Sequence, residues 1–235
     1  MLDCAILALR LGEVRDRIAQ AALRAGRDPG SIRLVAVSKM FGVEYVRAAA
    51  LAGQVDFGEN KVQEALLKID QTADLQIKWH LVGHLQSNKA RKAGARFDVI
   101  HSVDGPELVK RLDEAAHTAG RRIELLVQVD LAGEPTKHGA TEDALGPIFE
   151  AAKTCDAVRI RGLMLLPPLV DDPERTRPSF RALREVRDHL LAGGVDGSML
   201  AQLSMGMSHD FEVAVEEGAT IVRVGTAIFG PRKNV

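Results

Sequence analysis

Aromatic residues are scarce in this chain of 235 residues, at 4% with one Trp and one Tyr. That excludes the rows of exposed rings on which single-stranded nucleic acid stacks. Neither sign of charge dominates, since 31 Lys and Arg stand against 32 Asp and Glu for a net charge of -1. A generally cationic nucleic-acid surface is therefore excluded. Cysteine is limited to Cys4 and Cys155. The two lie far apart and outside any C-x-x-C or Cys/His ligand spacing, so they read as reduced, small apolar fillers. No stretch approaches the roughly 18 uncharged apolar residues of a membrane span. The apolar run at 5–9 is short and follows Asp3 instead of a basic start, unlike a signal peptide. The expectation is a soluble, cytoplasmic protein with neither nucleic acid nor membrane as partner.

Apolar residues are 46% and charged residues 27%, the balance of an ordinary globular core. The first segment, 3–25, sets Leu7, Leu11, Val14, Ile18 and Ala21 on one helical stripe, with Asp3 as N-cap and Gly26 as stop. After it, short runs rich in β-branched residues alternate with helical stretches. Strands are predicted at 32–38, 55–58, 79–83, 99–102, 123–129, 160–165, 202–205 and 221–225. Helices are predicted at 43–52, 61–69, 87–93, 106–119, 141–153, 173–191 and 208–217. Alternation of this kind gives a parallel sheet with helices outside. The G-x-G-x-x-G turn of a doubly wound sheet is absent after the first strand. The expectation is an α/β fold, a single (β/α)₈ TIM-type barrel spanning 1–235, with the extra N-terminal helix covering the gap that the short C-terminus leaves.

Active sites in such barrels lie at the C-terminal ends of the strands. Ser204, Gly206 and Ser208 after strand seven, with Gly225 and Thr226 after strand eight, offer hydroxyls and close-approaching backbone for a phosphate. A tight turn with a helix cap is the plainer alternative for either segment. Lys39, at the end of strand one, shares a face with Val35 and Val37. If that face points inward, its pKa falls towards about 7–8 and the amine becomes a nucleophile; a solvent-directed strand-end lysine is the alternative. Arg223 shares a face with Ile221 and Gly225, so inside the barrel it needs an acceptor, for which an internal salt bridge is the simplest choice. His80 and His84 are four apart but not on a helix, and no H-E-x-x-H is present, so no metal site is expected. Glu134, Lys137 and His138 lie on the loop after strand five, where Lys137 is expected to overhang the mouth.

The segments Val35-Ala-Val-Ser-Lys39, Phe57-Gly-Glu-Asn60, Trp79-His-Leu-Val-Gly-His-Leu-Gln-Ser-Asn-Lys89, Arg161-Gly-Leu-Met164, Leu203-Ser-Met-Gly-Met-Ser208 and Val222-Arg-Val-Gly-Thr-Ala-Ile-Phe-Gly230 occur in this order. With them the sequence resembles the pyridoxal phosphate homeostasis protein family, whose fold is similar to the N-terminal barrel of alanine racemase. The resemblance implies pyridoxal 5′-phosphate as cofactor, carried on Lys39 as a Schiff base. It places Asn60 and His80 among the cofactor-binding residues, with Ser204, Met205, Gly206, Gly225 and Thr226 on the phosphate and Arg223 facing the pyridine nitrogen. Members look like carriers or regulators of vitamin B6 and amino-acid pools, without well-defined turnover, and are expected as monomers or weak dimers that serve apo-enzymes. The chain departs from the family at Met40-Phe41, where short polar residues and a Pro are common, and at Asp130, where Asn is common. A racemase-like enzyme and a sugar-phosphate lyase or isomerase acting through Lys39 are the other readings.

Overall fold

The structure is a computed structural model and describes residues 3–131, 138–168 and 170–231. Eight strands, β1 (Arg33–Val37), β2 (Asp56–Glu59), β3 (Lys78–Leu81), β4 (Val99–Val103), β5 (Ile123–Gln128), β6 (Val158–Met164), β7 (Gln202–Ser204) and β8 (Ile221–Val224), pair in parallel in chain order. The ring closes where β8 pairs with β1, with Arg223 opposite Val35. A closed barrel has no free edge, so every strand satisfies its backbone groups on both sides.

Helix α1 (Cys4–Arg24) precedes the first strand. The carboxylate of Asp3 accepts from the amides of Ala5 and Ile6, which caps it. Its buried stripe of Leu7, Leu11, Val14, Ile18 and Ala21 is the one the periodicity selects. Removing a side chain such as Leu11 from that interface costs about 2–5 kcal/mol. The remaining helices are α2 (Val43–Leu51), α3 (Val62–Gln71), α4 (Ala90–Gly94), α5 (Pro106–Thr118), α6 (Glu142–Lys153), α7 (Arg177–Ala192), α8 (Phe211–Glu216) and α9 (Thr226–Phe229). α1 packs on α2, α8 and α9, across the seam between the last and first βα units. Among the described residues no helix is long and apolar enough to cross a membrane.

The differences from the sequence reading lie at element ends. The stretch 87–93 divides into a 3₁₀ turn, Ser87–Lys89, and the short α4. α8 starts at Phe211 instead of 208, because the Asp210 carboxylate accepts from the Met207 amide and holds the preceding residues in a turn. Both cysteines are free, but only Cys155 is buried; Cys4 is exposed on the first turn of α1 and fills nothing.

Strand alternation sorts the side chains into two layers. Phe57, Leu81, Ile100, Leu125, Leu203, Val222 and Val224 point outward into the large core beneath the helices. Val35, Val37, Val82, Leu126, Met164 and Ile221 form a separate cluster inside the barrel. Arg223, His80, His101 and Ser204 are buried as well. On β8 and β3 the inward positions that alternate with these apolar residues carry Arg223 and His80.

Candidate cofactor-binding site

A cavity of ≈ 470 Å³ opens at the C-terminal ends of the strands, lined in part by Val37, Lys39, Asn60, Ser208, Arg223, Gly225 and Thr226. That is within the ordinary size of small-molecule sites. Lys39 enters it because the alternation of Val35 and Val37 continues past the end of β1. The chain then turns at once: Met40 takes φ 67, a left-handed conformation rare for a side chain of its shape. The Phe41 amide closes the turn on the Ser38 carbonyl. Phe41 packs on Tyr45 and Phe229, at 5.0 and 5.3 Å between ring centroids.

Ser38 is clamped from the outer face. Its hydroxyl donates to Glu59 Oε1 at 2.7 Å, while Lys68 from α3 donates to the Ser38 carbonyl at 2.8 Å and to Glu59 Oε1 at 2.5 Å. All three are buried. Sequence reasoning did not find this clamp. Its only trace is a charged Glu59 in an otherwise apolar strand end and a lysine one helical face away.

Asn60 reaches the cavity because β2 and β3 approach closely at their ends. A side chain at position 83 would place its Cβ 2.2 Å from the Asn60 carbonyl oxygen, so Gly83 is required there. On the far side the Ser208 hydroxyl accepts from the amides of Gly225, at 3.0 Å, and Ala227, at 3.4 Å. One side chain thus stitches the loop after β7 to the start of α9. The hydroxyls of Ser208 and Thr226 and the backbone at Gly225 line one side of the cavity as a cup.

Four of the expected site residues, Ser204, His80, Met205 and Gly206, are not among those that line the cavity. Ser204 and His80 are fully buried inside the barrel and do not line the cavity. β7 ends at Ser204, level with Ile221 and four residues before Ser208, so the hydroxyl stays under the rim. His80 points inward as its parity demands, yet one level too deep. Met205 takes the opposite parity and sits in the outer core. Gly206, at φ +92, packs against α8, where a Cβ would lie 2.6 Å from that of Ala214. Ser208, four residues further on, lines the cavity instead.

Arg223 is buried, and its guanidinium donates to Ser204 Oγ at 2.5 Å and to the Leu165 carbonyl at 2.8 Å. The plainer alternative, an internal salt bridge, is not there: among the described residues no carboxylate is within ion-pair distance of Arg223. Burial lowers its pKa to about 10, opposed by the charge of Asp210, so it remains a cation at neutral pH.

His84 belongs to the rim, apart from His80. Its ring stacks on His138 with centroids 3.4 Å apart and planes 7° apart, and its Nδ1 lies 3.9 Å from Asp104. Burial and the neighbouring His138 lower its pKa, against a raising effect of Asp104. The three ligand-type groups lie within 4.8 Å of one another. Imidazole lone pairs lie in the ring plane, so two parallel rings direct theirs side by side instead of onto one point, and no metal is assigned. Glu134 and Lys137 lie outside the described residues.

Comparison with known proteins matches this geometry. The family model described as "Alanine racemase, N-terminal domain" covers residues 9–233. A pyridoxal phosphate homeostasis protein of Aquifex aeolicus is 42% identical over 224 residues, 95% of this chain and 97% of the relative. One of Pseudomonas aeruginosa is 42% identical over 226 residues, 96% of each. The chain belongs to the pyridoxal phosphate homeostasis protein family. Among solved structures, PipY of Synechococcus elongatus PCC7942, with PLP bound, superposes with a TM-score of 0.83 at 41% identity, over 95% of this chain and 100% of that one. The donor set of the present cavity fits such a ligand: an amine at Lys39, a buried cation at Arg223, and hydroxyl and backbone groups at Ser208, Gly225 and Thr226. In this member of the homeostasis family the lysine turn is built with Met40 in the left-handed region, without a Pro.

Proposed function

We propose that this protein is a cytoplasmic, single-domain carrier that holds pyridoxal 5′-phosphate on Lys39 and releases it to apo-enzymes. The observation that carries the reading is the convergence of Lys39, Arg223 and the Ser208–Gly225–Thr226 cup on one cavity. The cofactor brings an aldehyde for the Lys39 amine, a ring nitrogen for Arg223 and a phosphate for the cup. Lys39 Nζ must be neutral to attack. Ser208 and Thr226 hold the phosphate by charge-assisted hydrogen bonds, each worth roughly 1.5–3 kcal/mol. Asn60 bounds the cavity opposite the cup.

A permanent cation at the ring nitrogen favours binding over turnover. Strong carbanion chemistry wants that nitrogen protonated, usually by a carboxylate partner, and Arg223 opposes the proton. Racemisation also wants a second acid or base across from the lysine. Tyr45, the single tyrosine, packs on Phe41 and Phe229 in the outer layer instead.

The test is the visible spectrum of the protein mixed with pyridoxal 5′-phosphate, before and after borohydride, with peptide mapping of the reduced adduct. A yellow complex whose label maps to Lys39 is expected. A label on another lysine, or none, defeats the proposal. D-alanine formed from L-alanine, and lost in Lys39→Ala, would favour the racemase reading.

A further inference from the structure

Beneath the cavity five buried or half-buried side chains from five strands form an unbroken line across the barrel interior. Arg223 donates to Ser204 Oγ at 2.5 Å. Ser204 Oγ lies 2.9 Å from His101 Nδ1, and His101 Nε2 lies 2.9 Å from His80 Nδ1. His80 Nε2 lies 2.9 Å from Asp56 Oδ1, at the opposite end of the barrel from the cavity.

With both rings neutral, the two ends fix the direction of every bond between them. A guanidinium can only donate, and an ionised carboxylate can only accept. Burial pushes the Asp56 pKa up, the hydrogen bond to His80 and the neighbouring Arg33 and Lys78 bring it down, and it lies below its ordinary value, so the carboxylate is ionised. Burial, then His80, Arg223 and Arg33, hold His101 well below its ordinary pKa, so that ring is neutral. Ser204 keeps a second lone pair, but if it accepted from His101 Nδ1–H, His80 would have to be an imidazolium donating from both nitrogens; with His80 neutral, the hydroxyl proton goes to His101 Nδ1. The proton of His101 must then be on Nε2, pointing at His80 Nδ1, and that of His80 on Nε2, pointing at Asp56. Every donor points away from the cavity, and one negative charge closes the line.

We propose that Ser204, His101, His80 and Asp56 are positioning residues for Arg223, fixing its rotamer so that the guanidinium meets the ligand with no carboxylate in ion-pair contact. This rests on the reading of the cavity as the cofactor site. Asp210 also acts on Arg223 by its charge, from beyond ion-pair distance. A carboxylate placed directly against Arg223 would cancel the field at the ring nitrogen; one placed four hydrogen bonds away anchors the guanidinium without doing so. Ser204 is then fully committed to Arg223 and His101 and has no hydrogen bond left to donate to a phosphate. The role differs in kind from that of Ser208.

Three measurements on the full chain test it. ¹⁵N NMR of labelled histidines in the free protein at pH 7 should show His80 and His101 as neutral rings protonated on Nε2. An imidazolium or an Nδ1–H tautomer at either ring overturns the proposal, and this readout does not depend on any ligand. Ser204→Ala should weaken pyridoxal 5′-phosphate and pyridoxal by the same factor, about tenfold, and Ser204→Thr should restore both. A loss confined to the phosphorylated ligand would make Ser204 a phosphate ligand, and no loss would make the line irrelevant to the cavity. Asp56→Asn keeps an acceptor for His80 but removes the charge, so the bound ring nitrogen, read with ¹⁵N-labelled cofactor, should have its pKa lowered by roughly half a pH unit. An unchanged value refutes the electrostatic link. If borohydride fails to label Lys39 in the parent protein, the cavity reading fails instead, and the histidine tautomers still decide whether the line exists.

Discussion

Acidification should destabilise the fold through His101, by an amount that follows from its burial. The ring is fully buried, and its pKa is held well below 6.5 by burial first and by His80, Arg223 and Arg33 next. In the unfolded chain the same ring titrates near its ordinary value of about 6.5. Below that pH the unfolded state binds a proton that the native state refuses, so stability falls as pH falls. The stability is fully present above the unfolded pKa and declines by about 1.4 kcal/mol per pH unit below it, until the folded pKa is reached. Between pH 7.5 and 5.5 the integrated loss from this one ring is about 1.4 kcal/mol. The assay is urea unfolding at both pH values for the parent and for His101→Gln. The variant lacks the titrating group, so its loss over the interval should be smaller by that amount. His84 acts in the same direction, and Asp210, whose pKa burial raises, acts in the opposite one, but both are common to the two proteins and cancel in the difference. Asp56, whose pKa is lowered, titrates below this interval. Parallel losses in parent and variant would mean that the folded protein accepts a proton at His101, and the argument for a neutral ring would fail.

Other perturbations reach the remaining parts of the site. Lys68→Met leaves the buried Glu59 carboxylate without its cation and should cost about 3–5 kcal/mol in denaturant unfolding; adding Glu59→Leu should recover most of it, and failure to recover would mean the pair is not what Lys68 provides. Gly206→Ala combines a left-handed φ with a Cβ at 2.6 Å from Ala214, and a loss of at least about 2 kcal/mol is expected, against less than 1 for a site that can relax. Ser208→Ala should weaken pyridoxal 5′-phosphate by about 1.5–3 kcal/mol in fluorescence titration and leave pyridoxal nearly unchanged; equal losses would place the phosphate elsewhere.

Much of this was legible in the sequence for definite reasons. Short β-branched runs between amphipathic stretches carry the barrel, because the two periodicities differ and eight alternations leave few other topologies. Parity along a strand is binary, so the inward direction of Arg223 and the line from Val35 through Val37 to Lys39 could be read directly. Depth is not binary. Ser204 and Ser208 have the same chemistry and stand four residues apart, and choosing between them requires knowing that β7 ends at Ser204 and pairs there with Ile221. His80 has the correct parity but pairs with Gly58 on one side and Val99 on the other, which places it in the interior and not at the rim. The Glu59–Lys68 pair was missed because it joins a strand end to the far side of the next helix. A lysine on a helix with a hydrophobic face gives no local sign that its amine is buried.

The two buried polar groupings work on opposite sides of the same wall. Register sets Val35 beside Arg223 on neighbouring strands, so Lys39 stands four residues further along β1 than the level of Arg223. Ser38, next to Lys39, points outward and is held by Glu59 and Lys68, whereas Arg223 points inward and is held by Ser204 and the line to Asp56. Filling these positions with aliphatic side chains would avoid the desolvation of two carboxylates, two cations and two imidazoles, and for buried ion pairs such replacement is often neutral or stabilising. Nothing in barrel closure requires them, since the strands already satisfy each other's backbone. What they do supply is restraint on both faces beside the cavity: Ser38, which precedes Lys39, is held on the outer face and the Arg223 guanidinium on the inner one. A ligand reaching Arg223 would meet a guanidinium whose side-chain freedom has already been removed, and that lowers the entropy cost of binding it.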